Sequence, residues 1–98
     1  MMTKLTDLEK KMVKGILRDY ARCGVSNTEF HNTFGVDEEE NKKLRGAFAS
    51  LKRKKIVSHY NDKGCFNPIY PTAKLVEACR DNGVEIPSRA MKSMEVYI

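Results

Sequence analysis

The chain has 98 residues, of which 41% are hydrophobic and 32% are charged. This length fits one folded unit, so we expect a single domain over residues 1–98, with its core at about residues 5–83 and a C-terminal tail at residues 84–98. No apolar run approaches the roughly 20 residues that a membrane-spanning helix needs, and the N-terminus lacks the apolar stretch of a signal peptide. These features predict a cytoplasmic protein, in the host cell if it is viral, with no membrane partner.

The net charge of +5 comes from one quarter of the chain. Residues 1–40 hold six basic and eight acidic side chains, residues 41–64 hold eight and one, and residues 65–98 hold four of each. The basic residues of the middle segment are Lys42, Lys43, Arg45, Lys52, Arg53, Lys54, Lys55 and Lys63. Such a cluster is either a solvated helix whose C-terminal cations complement its own dipole, or a surface for an anionic partner such as nucleic acid.

The first predicted helix begins at a capping box, in which Thr6 and Glu9 each bond the other residue's backbone N–H group. Apolar residues then recur at three- and four-residue spacing. They are Leu8, Met12, Val13, Ile16, Leu17 and Tyr20. This spacing places them on one helix face that must be buried, and Cys23 with Gly24 ends the helix.

Two further capping-box patterns predict a second and a third helix. Ser26–Glu29 opens a short helix that ends at Gly35, and Asp37 with Glu40 opens a longer one that reaches about Lys54. The buried stripe of the third helix consists of Leu44, Ala47, Phe48 and Leu51.

The opposite face of the third helix is basic in its middle and small in profile. Gly46 lies on this outer face, where a glycine costs roughly 1 kcal/mol relative to alanine. It is therefore either a tolerated residue or a place where a partner approaches the backbone closely.

Two β-prone runs, at residues 56–60 and 65–70, flank the turn residues 61–64 and predict a hairpin. Because Pro68 cannot donate a ladder hydrogen bond, the second strand should be an edge strand or irregular at that point. Thr72 is in position to cap a further helix through Leu75 and Cys79, which Asn82-Gly83 closes.

This order of helix, short helix, longer helix, hairpin and helix resembles the winged helix-turn-helix superfamily over about residues 5–83. The resemblance also lies in the tight link from Phe34 to Asp37 and in the passage from Leu44 to Val57, which looks like a recognition helix running into a wing strand. It implies an α+β, mostly α fold: a winged helix-turn-helix with a three-helix core, a two-stranded β-hairpin wing and a fourth helix.

In that superfamily the longer helix commonly enters the DNA major groove, and the hairpin tip contacts the neighbouring backbone or minor groove. For this sequence the resemblance implies nucleic-acid-binding roles for Lys42, Lys43, Arg45, Lys52, Arg53 and Lys63. Lys42, Arg45 and Arg53 suit contacts to guanine edges or phosphates from the outer helix face. Lys43 and Lys52 flank them, and Lys63 lies at the hairpin tip.

One feature of the third helix opposes DNA binding. The helix begins with four consecutive carboxylates, Asp37–Glu40, at the end that often points toward the bases. Acidic residues in a first turn also stabilise the helix by roughly 0.3 to 1 kcal/mol each, so the run has a structural reason to exist. Either the helix docks through its middle and C-terminal half together with the wing, or its partner is not DNA.

Nothing in the sequence nominates an enzyme, a cofactor or a metal site. His31 and His59 have no companion nucleophile motif, and the sequence has no glycine-rich phosphate loop. Cys23, Cys65 and Cys79 have no CxxC spacing, so we interpret them as buried thiols and not as a disulfide framework or zinc ligands.

We therefore expect a sequence-specific double-stranded DNA-binding protein, a small transcriptional regulator that acts as a homodimer. The residues expected to bury against a second copy, or against the domain's own core, are Met91, Met94, Val96, Tyr97 and Ile98. The alternative is a winged-helix module of phage or mobile-element type that binds a protein and not DNA, which the acidic start of the third helix and the apolar tail favour.

Overall fold

The structure is a computed structural model that describes residues 4–28, 38–59 and 68–98. In chain order its elements are α1 (Asp7–Cys23), a 3-10 turn (Val25–Asn27), α2 (Glu38–Arg53), β1 (Val57–His59), β2 (Ile69–Pro71), α3 (Ala73–Asp81) and α4 (Ser88–Met94). The described part of the chain is thus α+β and mostly helical, as expected.

Helix α1 forms as the capping pattern predicts. The Thr6 hydroxyl oxygen accepts a hydrogen bond of 3.1 Å from the Glu9 N–H group, and the Glu9 carboxylate accepts one of 2.9 Å from the Thr6 N–H group. Gly24 ends the helix with a φ of 86°, a left-handed conformation that glycine adopts without strain. Both predicted ends of the first helix are confirmed.

The core draws apolar side chains from every helix and from both strands. Its large members that are almost fully buried include Met12, Ile16, Leu17, Tyr20, Leu44, Leu51, Ile56, Ile69, Leu75 and Met94. The stripes predicted on α1 and α2 therefore face a common core, although Leu8 at the start of α1 is only half-buried.

Strands β1 and β2 pair antiparallel, with Ser58 opposite Tyr70, as the hairpin prediction requires. Two hydrogen bonds attach β2 to the rest of the domain. The buried Tyr20 hydroxyl of α1 donates to the Ile69 carbonyl at 2.7 Å, and the Ile69 N–H group donates to the Thr28 carbonyl at 2.9 Å. The sheet is therefore fixed to α1 and to the segment that follows it.

Helix α2 agrees with the third predicted helix to within one residue at each end. It ends in a Schellman motif: the N–H groups of Lys55 and Ile56 donate to the carbonyls of Lys52 and Leu51, each at 3.0 Å. Lys55 occupies the left-handed position, with a φ of 62°, where glycine is usual. The side chain of Ile56 is buried, so the corner delivers the chain directly into β1.

Several predictions concern residues that the structure does not describe. The second helix was predicted to open at the Ser26–Glu29 capping box and to end at Gly35. Its described start does not form an α-helix: Val25–Asn27 is a 3-10 turn, Thr28 is extended, and the buried Thr28 hydroxyl donates to the Gly24 carbonyl at 2.9 Å. Residues 29–35 lie outside the described residues, as do the hairpin turn and Lys63.

The capping role predicted for the Thr72 side chain is wrong, although α3 does begin after Thr72. The hydroxyl makes no cap hydrogen bond. It lies 2.6 Å from the Lys55 carbonyl and 2.8 Å from the Ile56 carbonyl, so it ties the start of α3 to the corner after α2. The C-terminal end of α3 at Asn82-Gly83 is as predicted.

The predicted tail at residues 84–98 contains a helix that the sequence reading missed. Helix α4 packs against α1 and buries Ala90 and Met94. Before it, the Asn82 side chain accepts a hydrogen bond from the Leu5 N–H group at 3.0 Å, and near its end the Ser93 hydroxyl accepts one from Val25 at 3.0 Å. Residues 82–93 therefore run along α1 from its first turn to its last.

A partly buried ion pair joins the start of α1 to the end of α2. The Glu9 carboxylate is almost fully buried and lies 2.9 Å from the Lys54 ammonium, whose side chain is 36% exposed. Burial by itself raises the pKa of Glu9, but hydrogen bonds from Thr6, Lys54 and Ser50 and the Lys54 charge outweigh it, so the pKa lies below its ordinary value of 4.5.

We expect Glu9 to make the fold acid-sensitive. Because its pKa is lower in the folded than in the unfolded chain, its contribution to the free energy of unfolding is complete above pH 4.5 and is lost as the pH falls through the folded-state pKa. Glu9→Gln should therefore destabilise the protein at neutral pH, and the difference from the wild type should shrink in acid. Urea unfolding across this pH range measures it.

The matched control is Glu77→Gln, which removes the same charge from an exposed position on α3. Its effect on unfolding should stay within about 0.5 kcal/mol at every pH. A wild-type-to-Glu9→Gln difference that does not change with pH would contradict the assigned role.

Candidate nucleic-acid interface

The outer face of α2 carries the basic residues that the sequence singled out. Five of the six predicted site residues are described and exposed on this helix: Lys42, Lys43, Arg45, Lys52 and Arg53. The sixth, Lys63, lies outside the described residues. The apolar stripe of α2 is buried, so these cations, which lie on other sides of the helix, face the solvent.

Helical geometry arranges these cations in a defined pattern. At about 100° per residue, Lys42 and Arg53 lie within about 20° of each other and are separated by about 16 Å along the axis. Arg45 lies about 60° to one side of Lys42, and Lys52 lies close to the same line as Arg45. Lys43 lies on the opposite flank. The face is therefore a positive strip that spans most of the helix.

Two small residues lie at the centre of this positive strip. Gly46 and Ala49 are exposed and lie between Lys42 and Arg53 on the same face. A Cβ atom built on Gly46 would have no atom within 4 Å, so no packing within the described chain requires a glycine there. A flat centre bordered by cations lets a partner surface approach the helix backbone.

The Lys52 side chain has an additional contact. Its ammonium lies 4.9 Å from the centroid of the Phe48 ring, a cation–π geometry worth about 0.5–1 kcal/mol at an exposed site. Phe48 is itself held in the core, so it orients Lys52 along the flank of the helix.

Lys54 and Lys55, which follow the positive strip, have different surroundings. Lys54 turns toward α1 and pairs with Glu9, which removes its charge from the outer face. Lys55 is exposed at the corner between α2 and β1, in the left-handed conformation. The left-handed conformation costs a lysine about 1–2 kcal/mol of folding free energy relative to glycine. The corner therefore carries a positive charge at a position where glycine would be more stable.

Strand β2 is attached to α1 and to the corner after α2. Burial raises the pKa of Tyr20 far above its ordinary value, so its hydroxyl stays protonated and keeps donating to the Ile69 carbonyl. Thr72 fixes the other end of β2 to the corner after α2. The described strands β1 and β2 are thus positioned relative to the basic helix.

The structure also shows a basic surface that the sequence reading missed. Two acidic residues of α1 are buried: Glu9 pairs with Lys54, and Asp19 pairs with Arg22 at 3.1 Å. The outer face of α1 then presents Lys14 and Arg18, which are exposed. A count of charges along the chain gives residues 1–40 a net negative charge and so hides this basic face. The residues of α1 that lie opposite its apolar stripe, which include Lys14 and Arg18, would have revealed it.

The cysteine interpretation is correct at one position and wrong at another. Cys79 is buried, and burial raises the pKa of its thiol to about 11, which leaves it unreactive at neutral pH. Cys23 is exposed, contrary to expectation, because it lies in the last turn of α1 beyond the packed part of the helix. Cys65 lies outside the described residues.

Other kinds of site receive no support from residues 4–28, 38–59 and 68–98. Within these ranges no three His, Cys, Asp or Glu side chains gather as metal ligands would. No helix within them combines the length and the apolar character needed to cross a membrane.

No protein-family model, curated protein or solved structure matches this chain. The assignment of a function therefore rests on the residues and their arrangement.

The glycine at the centre of the strip gives a stability prediction. Gly46→Ala should raise the free energy of unfolding by about 1 kcal/mol, because alanine restricts the unfolded backbone and meets no atom in the folded chain. Thermal and urea unfolding measure the gain. Ala49→Gly, the reverse change three residues later, should lower stability by a similar amount, and a destabilised Gly46→Ala variant would contradict the geometry.

Proposed function

We propose that this protein is a sequence-specific double-stranded DNA-binding protein that acts as a small transcriptional regulator, with a winged helix-turn-helix fold. The observation that supports it best is the set of five exposed cations on α2 around the small residues Gly46 and Ala49. The order α1, α2, hairpin and α3 agrees with that fold, in which the longer helix precedes the wing.

The dimensions of α2 suit a duplex. The major groove is about 12 Å wide and accepts one α-helix, and the small residues at the centre of the strip let the backbone lie deep in it. Lys42 and Arg53, about 16 Å apart, would reach phosphates or base edges toward the two ends of the helix. Arg45 would make a bidentate contact with guanine.

The hairpin supplies the second contact in this proposal. Lys55 at the corner and Lys63 at the predicted hairpin tip would meet the backbone next to the groove. The sheet is tied to α1 through Tyr20 and to the segment after α1 through Thr28, so the helix and the hairpin would act as one rigid unit. In this proposal the helix docks from Lys42 to its C-terminal end together with the hairpin, so its acidic first turn would lie at the edge of the interface.

Exposed apolar residues near the end of α4 support the homodimer that belongs to this proposal. Val96 is 85% exposed, and Tyr97 and Ile98 are each nearly half exposed. The Tyr97 ring lies 5.3 Å from that of Tyr70 on β2, so these residues form an apolar patch beside the sheet. We propose that a second copy of the chain covers this patch in a homodimer. Met94 is buried in its own chain, so it is not a member of the patch.

The DNA proposal predicts salt-dependent binding that a charge reversal on α2 destroys. Affinity for a mixed-sequence duplex should fall with salt at a log–log slope of about −4, as four or five phosphate contacts imply. Lys42→Glu with Arg53→Glu should weaken binding by about 100-fold or more, since each cation contributes about 1–3 kcal/mol. Fluorescence anisotropy against labelled duplex measures both effects.

The matched control for this experiment is Lys14→Glu with Arg18→Glu, the same change of charge on the outer face of α1. It lowers the net charge equally, so only the position differs, and it should retain most of the affinity. If both variants lose affinity alike, net charge and not the α2 face governs binding. Affinity that is undetectable or independent of salt would end the DNA proposal.

The dimer proposal is tested by sedimentation. At micromolar concentrations we expect a species near twice the chain mass of 11.2 kDa, and Tyr97→Ser with Ile98→Ser should return it to the monomer. The Lys74→Ser variant, at an exposed polar position on α3, is the control and should leave the dimer intact. A wild type that sediments as a monomer throughout this range contradicts the dimer.

A further inference from the structure

A shallow groove of about 470 Å³ lies between α1 and the segment that leads into α4. Its residues are Lys14, Leu17, Arg18, Ala21, Gly83, Val84, Glu85 and Pro87. The groove is open to solvent. It is remote in sequence from α2 and is not used by the proposed DNA contacts.

The path of residues 82–93 creates this groove. The segment is tied to Leu5 at one end and to Val25 at the other, and it lies beside α1 between these points. Gly83, with a φ of 67°, turns the chain out of α3, and residues 84–87 are not helical. The non-helical stretch cannot cover α1 as a helix would, so a depression remains beside Leu17 and Ala21.

The chemistry of the groove is divided between its floor and its rim. The accessible apolar surface comes from the half-buried Ala21 and the exposed Pro87, while the side chains of Leu17 and Val84 are almost fully buried beneath it. Lys14 and Arg18 are exposed one helical turn apart on the α1 side, while Glu85 provides the single carboxylate on the other side. A partner that fills this groove must therefore offer apolar groups to the floor and negative charge to the α1 rim.

We propose that this groove binds an acidic, amphipathic peptide segment of a partner protein, with its carboxylates on Lys14 and Arg18 and its apolar side chains between α1 and residues 83–87. The charge complementarity carries the choice of partner, since a guanidinium pairs with a carboxylate through two parallel hydrogen bonds. A nucleic-acid backbone suits the groove less well, because it has no apolar groups to cover the floor. The proposal is independent of DNA binding by α2.

Nuclear magnetic resonance titration of the ¹⁵N-labelled full chain tests this directly. The probe is a short synthetic peptide in which Glu and Asp alternate with Leu and Phe at helical spacing. We expect saturable shifts of the amide signals of Leu17, Arg18, Ala21, Val84 and Glu85, with little change on α2. Lys14→Glu with Arg18→Glu should weaken the fitted affinity by about tenfold or more, because two attractive pairs become repulsive.

Two further peptides separate the floor from the rim. In the first peptide Ser replaces Leu and Phe, which keeps the charge. In the second, Gln and Asn replace Glu and Asp, which keeps the apolar groups. If binding uses both parts of the groove, neither peptide should bind saturably. Lys42→Glu with Arg53→Glu is the matched protein control and should bind the original peptide as the wild type does.

Several results would overturn this proposal. An absence of saturable shifts, shifts centred on α2, or equal binding of the Ser-substituted peptide would each rule out an amphipathic occupant of the groove. Loss of duplex affinity in the Lys14→Glu, Arg18→Glu variant, with peptide binding unchanged, would assign this face to nucleic acid instead. Circular dichroism of every variant confirms that a lost signal does not come from unfolding.

Discussion

The fold depends on how the wide apolar face of α1 is covered. Helix α2 packs on it from one side, residues 82–93 run along it from another, and strand β2 is held to it by the hydrogen bond from Tyr20 to the Ile69 carbonyl. Helix α4 has seven residues and strand β2 has three, and elements of such length are not stable alone in water. Burial against α1 therefore supplies most of their stability, and it also sets where the basic helix and the hairpin lie.

The same burial decides which charges reach the surface. A carboxylate taken out of water needs a cation close to it, and Glu9 and Asp19 obtain theirs from Lys54 and Arg22. These pairings withdraw negative charge from α1 and one positive charge from the end of α2. What remains exposed is a positive strip on α2 and a second positive face around Lys14 and Arg18, each on the side of its helix that turns away from the core.

The sequence predicted those helices and strands whose own residues carry a strong local pattern. The Thr6–Glu9 capping box, the three- and four-residue spacing of α1 and α2, and the β-prone runs around residues 61–64 specify structure through neighbouring residues. Helix α4 has no comparable signal: it follows Pro87, has no side-chain hydrogen bond at its N-cap and buries only Ala90 and Met94. Its formation is a consequence of packing on α1, so periodicity over a few residues could not reveal it. The exposure of Cys23 and the bonding of Thr72 likewise depend on distant residues.

For the candidate site, the sequence by itself determined that Lys42, Lys43, Arg45, Lys52 and Arg53 lie on the exposed side of one helix, because the spacing of Leu44, Ala47, Phe48 and Leu51 specifies which side is buried. Only the tertiary structure decided that Lys54 leaves that face for Glu9 and that a groove opens beside Lys14 and Arg18. These features come from contacts between residues far apart in the chain, and helical periodicity carries no information about such contacts.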